Sequence, residues 1–290
     1  MSVVEFLLAG TVAAALPLML AALGEMVVEK TGLVNLGLEG MMALGAAIAF
    51  ICVYETGSHT LGFVAAGLAS ALLAMVFAGL VLGVKANEVA ASLGLGVLGL
   101  GLSALFGKSY ESLTITGLPK MGLPLLSDIP VIGGTLLTQD IVVWLSIIGA
   151  ILLWYVLTRT KLGLIIKAVG ENSDTARAIG YPVGIIRCAS VAFGGAMCGL
   201  AGAYASTVYT PVWADGMIAG RGWIALALVV FGTWQTGRVA FGAFLFGLLS
   251  LGELTAQAVG VALPSQLLSS LPYLATILML VVISKRNLPQ

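Results

Sequence analysis

The chain is a succession of apolar runs, each long enough to cross a lipid bilayer, and this feature removes almost every soluble fold from consideration. About 20 apolar residues make one helical crossing. Counted on that basis, nine runs stand near residues 3–24, 36–54, 60–83, 89–107, 138–157, 185–208, 221–236, 239–258 and 266–284. Hydrocarbon offers no partner for a free N–H or C=O, so runs of this kind specify helices. Charged residues make up 9% of the 290, against about a quarter in soluble domains. The expected fold class is all-α: a polytopic membrane helix bundle of about nine transmembrane helices, forming a single domain over residues 1–290. The seventh run is short and is expected to be tilted or broken. The first carries Glu5 where a signal peptide has its basic region, so it is expected to remain as a span.

Basic residues set the orientation, because loops left on the cytoplasmic side keep Lys and Arg. If nine spans alternate with Lys285 and Arg286 inside, then Lys30, Lys85, Arg159, Lys161, Lys167, Arg177, Arg187 and Arg238 are inside as well. Lys108, Lys120 and Arg221 fall outside, giving ten cations against three. The N-terminus is expected outside and the C-terminus in the cytoplasm. The long outer stretch 108–138, with Pro119, Pro124 and Pro130, is expected to lie over the outer mouth.

Between the fifth and sixth runs lies a polar island, residues 158–184. Asn172 is a good N-cap, and Asp174 places a negative charge where the helix dipole favours it. Gly180 suits a left-handed residue after the helix, and Pro182 prevents its continuation. The pattern predicts a helix of about two turns, Ser173–Ile179, displayed in water. Two turns are marginal alone, so flanking spans or a docked partner must hold it.

Polar groups inside the spans each need a reason, since a charge at the bilayer centre costs about 2.5–3.5 kcal/mol on insertion scales. Asn35 and Glu39 open the second span four residues apart, which would place them on one helical face. Gly32, Gly37 and Gly40 suggest a broken or re-entrant entry, with residues 25–36 forming either a loop or a half-crossing. In the eighth span Ser250, Glu253 and Gln257 share a face. These two faces are candidates for the lining of a substrate pathway or for a hydrogen-bond lock between helices. Lys85–Glu88 is expected at the inner membrane surface. Trp213, Asp215, Arg221 and Trp223 read as an outer interface belt.

Glycines at four-residue intervals, as in Gly79/Gly83 and Gly195/Gly199, permit close helix packing in a bilayer. Gly94-Leu-Gly-Val-Leu-Gly99 matches a dinucleotide fingerprint by letters, but no strand precedes it and no acidic residue follows at the needed distance. Gly101–Ser109 resembles a phosphate loop with one residue too many between its glycines. Both are read as span packing. Cys52, Cys188 and Cys198 lack metal spacing, His59 stands alone, and the zero net charge argues against nucleic acid as a partner.

Three stretches together resemble a known family. Glu29-Lys-Thr-Gly-Leu-Val-Asn-Leu-Gly-Leu-Glu-Gly-Met-Met42 is similar to a second-span signature. Leu162–Asn172, with Ala176, Arg177 and Gly180, is similar to a coupling loop and runs into Phe193–Ala203. Gly222–Gly232 is similar to the stretch before a short inner turn. The family is the membrane-spanning subunits of bacterial ABC importers of the branched-chain amino acid and simple-sugar class, nearest to the shorter permease of nucleoside uptake systems. Thr175 and Tyr181 depart from its pattern.

The resemblance implies a non-catalytic permease of the plasma membrane that takes nucleosides across by alternating access. A separate ATPase, which binds ATP and Mg, would dock on the loop 159–184. The docking residues implied are Gly170, Glu171, Asn172, Asp174, Ala176, Arg177 and Gly180. A second homologous permease, in a heterodimer, and an extracytoplasmic substrate-binding lipoprotein complete the implied assembly. No cofactor or metal is expected on this chain. A simple sugar is the alternative cargo. A separate class, an ion-coupled transporter with Glu39 and Glu253 as proton sites, would be driven by a proton gradient instead. A structural or receptor-like membrane protein would have no use for the capped helix.

Overall fold

The computed structural model describes residues 3–119, 121–122 and 138–258. Ten helices follow in order: α1 (Val3–Glu29), α2 (Leu38–Thr56), α3 (His59–Ala78), α4 (Glu88–Gly107), α5 (Ile141–Arg159), α6 (Lys161–Glu171), α7 (Ser173–Ala178), α8 (Val183–Tyr204), α9 (Arg221–Phe231) and α10 (Thr236–Ala258). Six of them, α1 to α5 and α8, are long and apolar enough to cross a membrane. The ninth expected span, 266–284, lies outside the described residues. The starts of these helices are written in the sequence. Ser58, Asn87, Asp140, Thr160 and Asn172 each accept from a backbone N–H in the first turn of α3, α4, α5, α6 and α7, satisfying donors that a helix cannot pair internally.

Helix α8 is the centre of the bundle and packs against α1, α2 and α3. Small residues permit this approach. A Cβ on Gly202 would come within 1.9 Å of the Met42 carbonyl oxygen in α2, so the two backbones touch as small-residue interfaces allow. Gly195 and Gly199 meet α3 in the same way, at the carbonyls of Ser70 and Ala66, as their spacing suggests. Gly79 and Gly83 do not. They have open space around them and sit in a π-helical turn, Gly79–Gly83, that ends α3. Gly96 and Gly99, from the apparent dinucleotide motif, lie inside α4 against Gly40 of α2, which makes that run a helix interface.

Two findings define the ends of the bundle. Glu29 at the end of α1 accepts from the Trp234 indole after α9, and Glu88 at the start of α4 accepts from the Val34 N–H. The turns carrying Lys30, Lys85, Arg159, Arg187 and Arg238 therefore gather at one end, the basic end. At the other end, Tyr110 donates to Glu55 (2.8 Å) and His59 Nε2 meets the Thr116 carbonyl (3.0 Å). There the segment after α4 pairs with the segment after α8 through Thr114 and Val212. Two short antiparallel strands, β1 (Met121–Gly122) and β2 (Thr138–Gln139), belong to the same stretch.

Helix α5 is the exception to close packing. Its start is fixed by Asp140, which caps its first turn and accepts from the buried Tyr204 hydroxyl at 2.7 Å. Its end runs directly into α6. Between these two anchors it stands away from α8.

Candidate functional site

The polar island folds into two helices, α6 and α7, joined at Asn172. The Asn172 side chain accepts from the N–H groups of Asp174 (3.1 Å) and Thr175 (2.9 Å), as its position predicts. Helix α7 ends at Ala178, one residue before the expected Ile179, and Gly180 follows with φ +96°. Ala176 is 1% exposed and packs with Val169 and Val183. It anchors α7 to α6 and α8, so its methyl is not available to a docking partner, which corrects the sequence reading. Asp174 and Arg177 form an exposed pair at 3.2 Å, with side chains 90% and 66% exposed. Such pairs add little stability, and both groups remain free to meet another protein. Glu171 is also exposed. Ile179, 66% exposed, adds an apolar contact point that sequence reasoning missed. Its signal was an isolated isoleucine beside Gly180 in an otherwise polar stretch.

This arm is not a free loop. Gly170 lies so close to the turn after α1 that a Cβ there would reach within 2.2 Å of the Lys30 carbonyl oxygen. From α8, Arg187 Nε donates to the Thr31 carbonyl at 3.0 Å. The turn 30–32 is thus held from two sides by the arm and its following helix.

Beyond the turn the chain re-enters the bundle. The Asn35 N–H donates to the buried Glu25 carboxylate at 2.8 Å, and Asn35 Oδ1 accepts from the Gly37 N–H at 3.0 Å. Asn35 therefore precedes α2 and shapes its entry. It does not share a helical face with Glu39 and is held in a hydrogen-bond lock, the alternative to a pathway lining that the sequence offered. Gly40 abuts Gly96 and Gly99, which places Glu39 about 12–16 Å along α4 from the basic end at 1.5 Å per residue, well inside the bundle.

At that depth Glu39 accepts from the N–H groups of Gly220 (2.6 Å) and Gly222 (2.8 Å). These are the unpaired donors at the start of α9, where a carboxylate is favoured by both hydrogen bonding and the helix dipole. Gly222 is required here, because a Cβ would fall 2.4 Å from the Glu39 backbone nitrogen. Helix α9 has 11 residues, about 16 Å, or roughly half the hydrocarbon thickness. It is a half-helix that starts in the interior and ends at the Trp234–Glu29 contact of the basic end, so the shortness of the seventh run reflects a broken crossing. A cavity of about 230 Å³ lies over its start, lined by Glu39, Ala43, Ser103, Asp215, Met217 and Ile218 among others.

The belt reading fails for Trp213 and Arg221, while Asp215 and Trp223 are exposed. Trp213 is 1% exposed and lies against Gly107. Arg221 stands beside the interior start of α9 with its guanidinium 5.5 Å from the Tyr209 ring centre, so it leaves the set of outer cations. The second polar face is elsewhere. Helix α10 packs mainly on α1, with Leu251 beside Gly10. Ser250 and Glu253 are half-buried there, toward the N-terminal half of α1 and apart from the Glu39 cavity. The side chain of Gln257 lies outside the described residues. The sequence did not single out Glu25, Gly220 or Trp234, whose importance depends on contacts with distant segments.

The comparisons with known proteins agree with this architecture. The model of the branched-chain amino acid transport system permease component matches residues 7–283. The chain is 39% identical to the putative glucose ABC transporter permease protein TsgC13 of Haloferax volcanii, over 97% of this chain and 92% of that protein. It is 34% identical to the nucleoside ABC transporter permease protein NupC of Lactococcus lactis, over 91% and 87%. With the guanosine ABC transporter permease protein NupQ of Bacillus subtilis the identity is 31%, over 96% and 92%. No solved structure matches. A bundle of membrane-crossing helices with an interior half-helix, matched along nearly its whole length, makes this chain a member of the branched-chain amino acid transport system permease component family.

Proposed function

We propose that this chain, as one permease domain over 1–290, is the translocating subunit of a binding-protein-dependent ABC importer of nucleosides in the plasma membrane. The observation that carries the reading is the unbroken contact route from the arm to the interior half-helix. It runs from α7 through Gly170 and Arg187 to the 30–32 turn, through Asn35 into α2, and from Glu39 to the start of α9. A displacement at the basic end is transmitted along that route, because packed backbones and saturated hydrogen bonds deform little.

The basic end is then cytoplasmic, with the N-terminus outside and the C-terminus inside. A partner ATPase holds ATP and Mg and docks on the arm through Glu171, Asp174, Arg177 and the exposed Ile179. Asn172, Ala176 and Gly180 give the arm its shape, and Gly170 fixes it to the turn. A second homologous permease completes the pathway, and a substrate-binding lipoprotein delivers cargo at the opposite end. The polar cavity over α9 is the part of the pathway this chain contributes. In this reading, ATPase closure shifts the arm and the Glu39–α9 contact opens or closes that cavity, a hinge-type alternation.

Co-purification tests the assignment. The chain should retain an ATPase, lose it with Arg177→Glu, and stay in the membrane in both cases. Retention of the ATPase by that variant overturns the docking site. A simple sugar is the second reading, favoured by the 39% identity to the putative glucose ABC transporter permease. Titration of the cognate binding protein with nucleosides and with sugars separates the two, and sugar-only binding removes the nucleoside reading.

A further inference from the structure

Helix α5 encloses a cleft that the transport reading leaves unused. It is about 620 Å³ and is lined by apolar side chains of four helices: Leu23 and Val27 of α1, Leu152 of α5, Ile166 of α6, and Phe193 and Met197 of α8 mark its walls. The cleft arises because α5 stands off α8 between the Asp140–Tyr204 bond and the junction with α6, while its other side meets α1 and α10. In water such a surface would close up. In a bilayer, hydrocarbon is the medium on its open side.

The basic end of the cleft has a distinct chemistry. Lys30 continues the α1 helical turn, its N–H bonded to the Met26 carbonyl. It therefore lies on the stripe of Leu20, Leu23 and Val27 that lines the cleft. Gly170, against the Lys30 carbonyl, is one turn beyond Ile166 in α6. Lys30 and Lys167 are both half-buried, and Arg187 reaches the same turn from α8. Among the described residues none of these three cations forms an ion pair. The nearby carboxylates are otherwise engaged, Glu25 by the Asn35 N–H and Glu29 by Trp234. Burial, and after it the charge of Lys167, holds the Lys30 ammonium below its ordinary value. Half-buried cations without a counter-charge, at the mouth of a hydrocarbon-lined cleft, are the arrangement that recruits an anionic lipid.

We propose that this cleft is a binding site for one anionic phospholipid, with an acyl chain between α5 and α8 and the phosphate against Lys30, Lys167 and Arg187. The occupant is a lipid because the walls are apolar apart from Ser146 and Ser190 and carry no charged residue, while the three cations gather at one end.

The probe is a phosphatidylglycerol carrying a diazirine at mid-chain, in phosphatidylcholine vesicles containing the full-length chain. After irradiation, labelled peptides are mapped by mass spectrometry. Label is expected on α5 and α8 near Leu152, Phe193 and Met197, and much more weakly from a phosphatidylcholine probe with the same chain. Lys30→Ala combined with Lys167→Ala should lower the labelling by roughly thirtyfold, the loss expected for two surface-level cations. A second variant keeps the cleft itself under test. Gly149 lines it and has nothing within 4 Å of where a Cβ would stand, so Gly149→Leu fills the space without a clash. It should abolish mid-chain labelling while leaving solubilised yield unchanged. Equal labelling by both lipids, labelling that ignores these variants, or loss of labelling when a partner permease covers α5 would overturn the proposal.

Discussion

Replacement of Glu39 by alanine is the sharpest perturbation of the proposed gate. The carboxylate closes two backbone donors at the start of α9, at 2.6 and 2.8 Å. Hydrogen bonds to a charged group contribute about 1.5–3 kcal/mol each, so the upper limit for the pair is about 3–6 kcal/mol. The neighbouring cavity can admit water to the freed amides, which brings the expected loss to about 2–4 kcal/mol. Expressed as a population, α9 should leave its docked position roughly 30-fold to several hundredfold more often. Glu39→Gln keeps one acceptor and loses the charge, so it should fall between alanine and the native residue. The assay is thiol labelling of Met217→Cys, which lines the cavity, in a background without Cys52, Cys188 and Cys198, together with ATP-driven uptake. Labelling should accelerate and uptake should fall in the order native, Gln, Ala. An ion-coupled transporter gives a different ranking, with Gln as inactive as Ala because neither carries a proton. Unchanged labelling and uptake in Glu39→Ala would refute the latch.

Further outcomes test the rest of the route. Arg177→Glu should abolish uptake with membrane content unchanged, since the exposed pair it breaks contributes at most about 1 kcal/mol; a fall in membrane content would mean that the residue is structural. Ala176→Asp should act differently, placing a charge in the buried Val169–Val183 cluster and reducing the folded yield, as measured by size-exclusion profile. Gly202→Ala has no space against the Met42 carbonyl and should destabilise the bundle by about 1–3 kcal/mol in thermal unfolding followed in detergent. Gly149→Ala, beside open space, should be neutral in the same assay.

The parts legible in the sequence were those controlled by local physics. Apolar run length predicted nine spans, of which six are helices long and apolar enough to cross among the described residues, and Asn172 and Gly180 marked α7 because capping needs only neighbours in sequence. The bias of Lys and Arg singled out one end for the same reason. What sequence could not reach depends on partners far along the chain. Glu39 was noticed as a cost in hydrocarbon, but its partners, Gly220 and Gly222, lie more than 180 residues on. Asn35 looked like a companion of Glu39 at helical spacing; the break before Leu38 placed it outside the helix and in contact with Glu25. Trp213 and Arg221 looked like an interface belt because aromatic and basic residues often flank spans. The half-length of α9 turned that segment inward, where Trp213 fills the space over Gly107.

The same distinction bears on which helix can move. Helix α8 is locked to α1, α2 and α3 by backbone contacts, and shifting it alone would drive Gly202 away from Met42 and Gly199 away from Ala66. It must move with the core. Helix α5 packs more lightly, against α1 and α10, and the buried bond from Tyr204 to Asp140 ties its far end to α8. An arm displaced at the basic end therefore acts on two connections at once, inward on Glu39 and α9 through the 30–32 turn, and along α5 to the opposite face. Coupling the two is what alternating access needs, since one face must close as the other opens. Tyr204→Phe isolates the second connection. It removes a buried bond to a charged acceptor worth about 1.5–3 kcal/mol while Asp140 still caps Val142 and Val143, so α5 should stay helical but lose its hydrogen-bonded tie to α8. Binding of the ATPase should be unchanged, and uptake should fall at least tenfold with ATP hydrolysis continuing, a separation read by assaying both in the same vesicles. Hydrolysis and uptake falling together would place the defect at the arm and remove α5 from the transmission route.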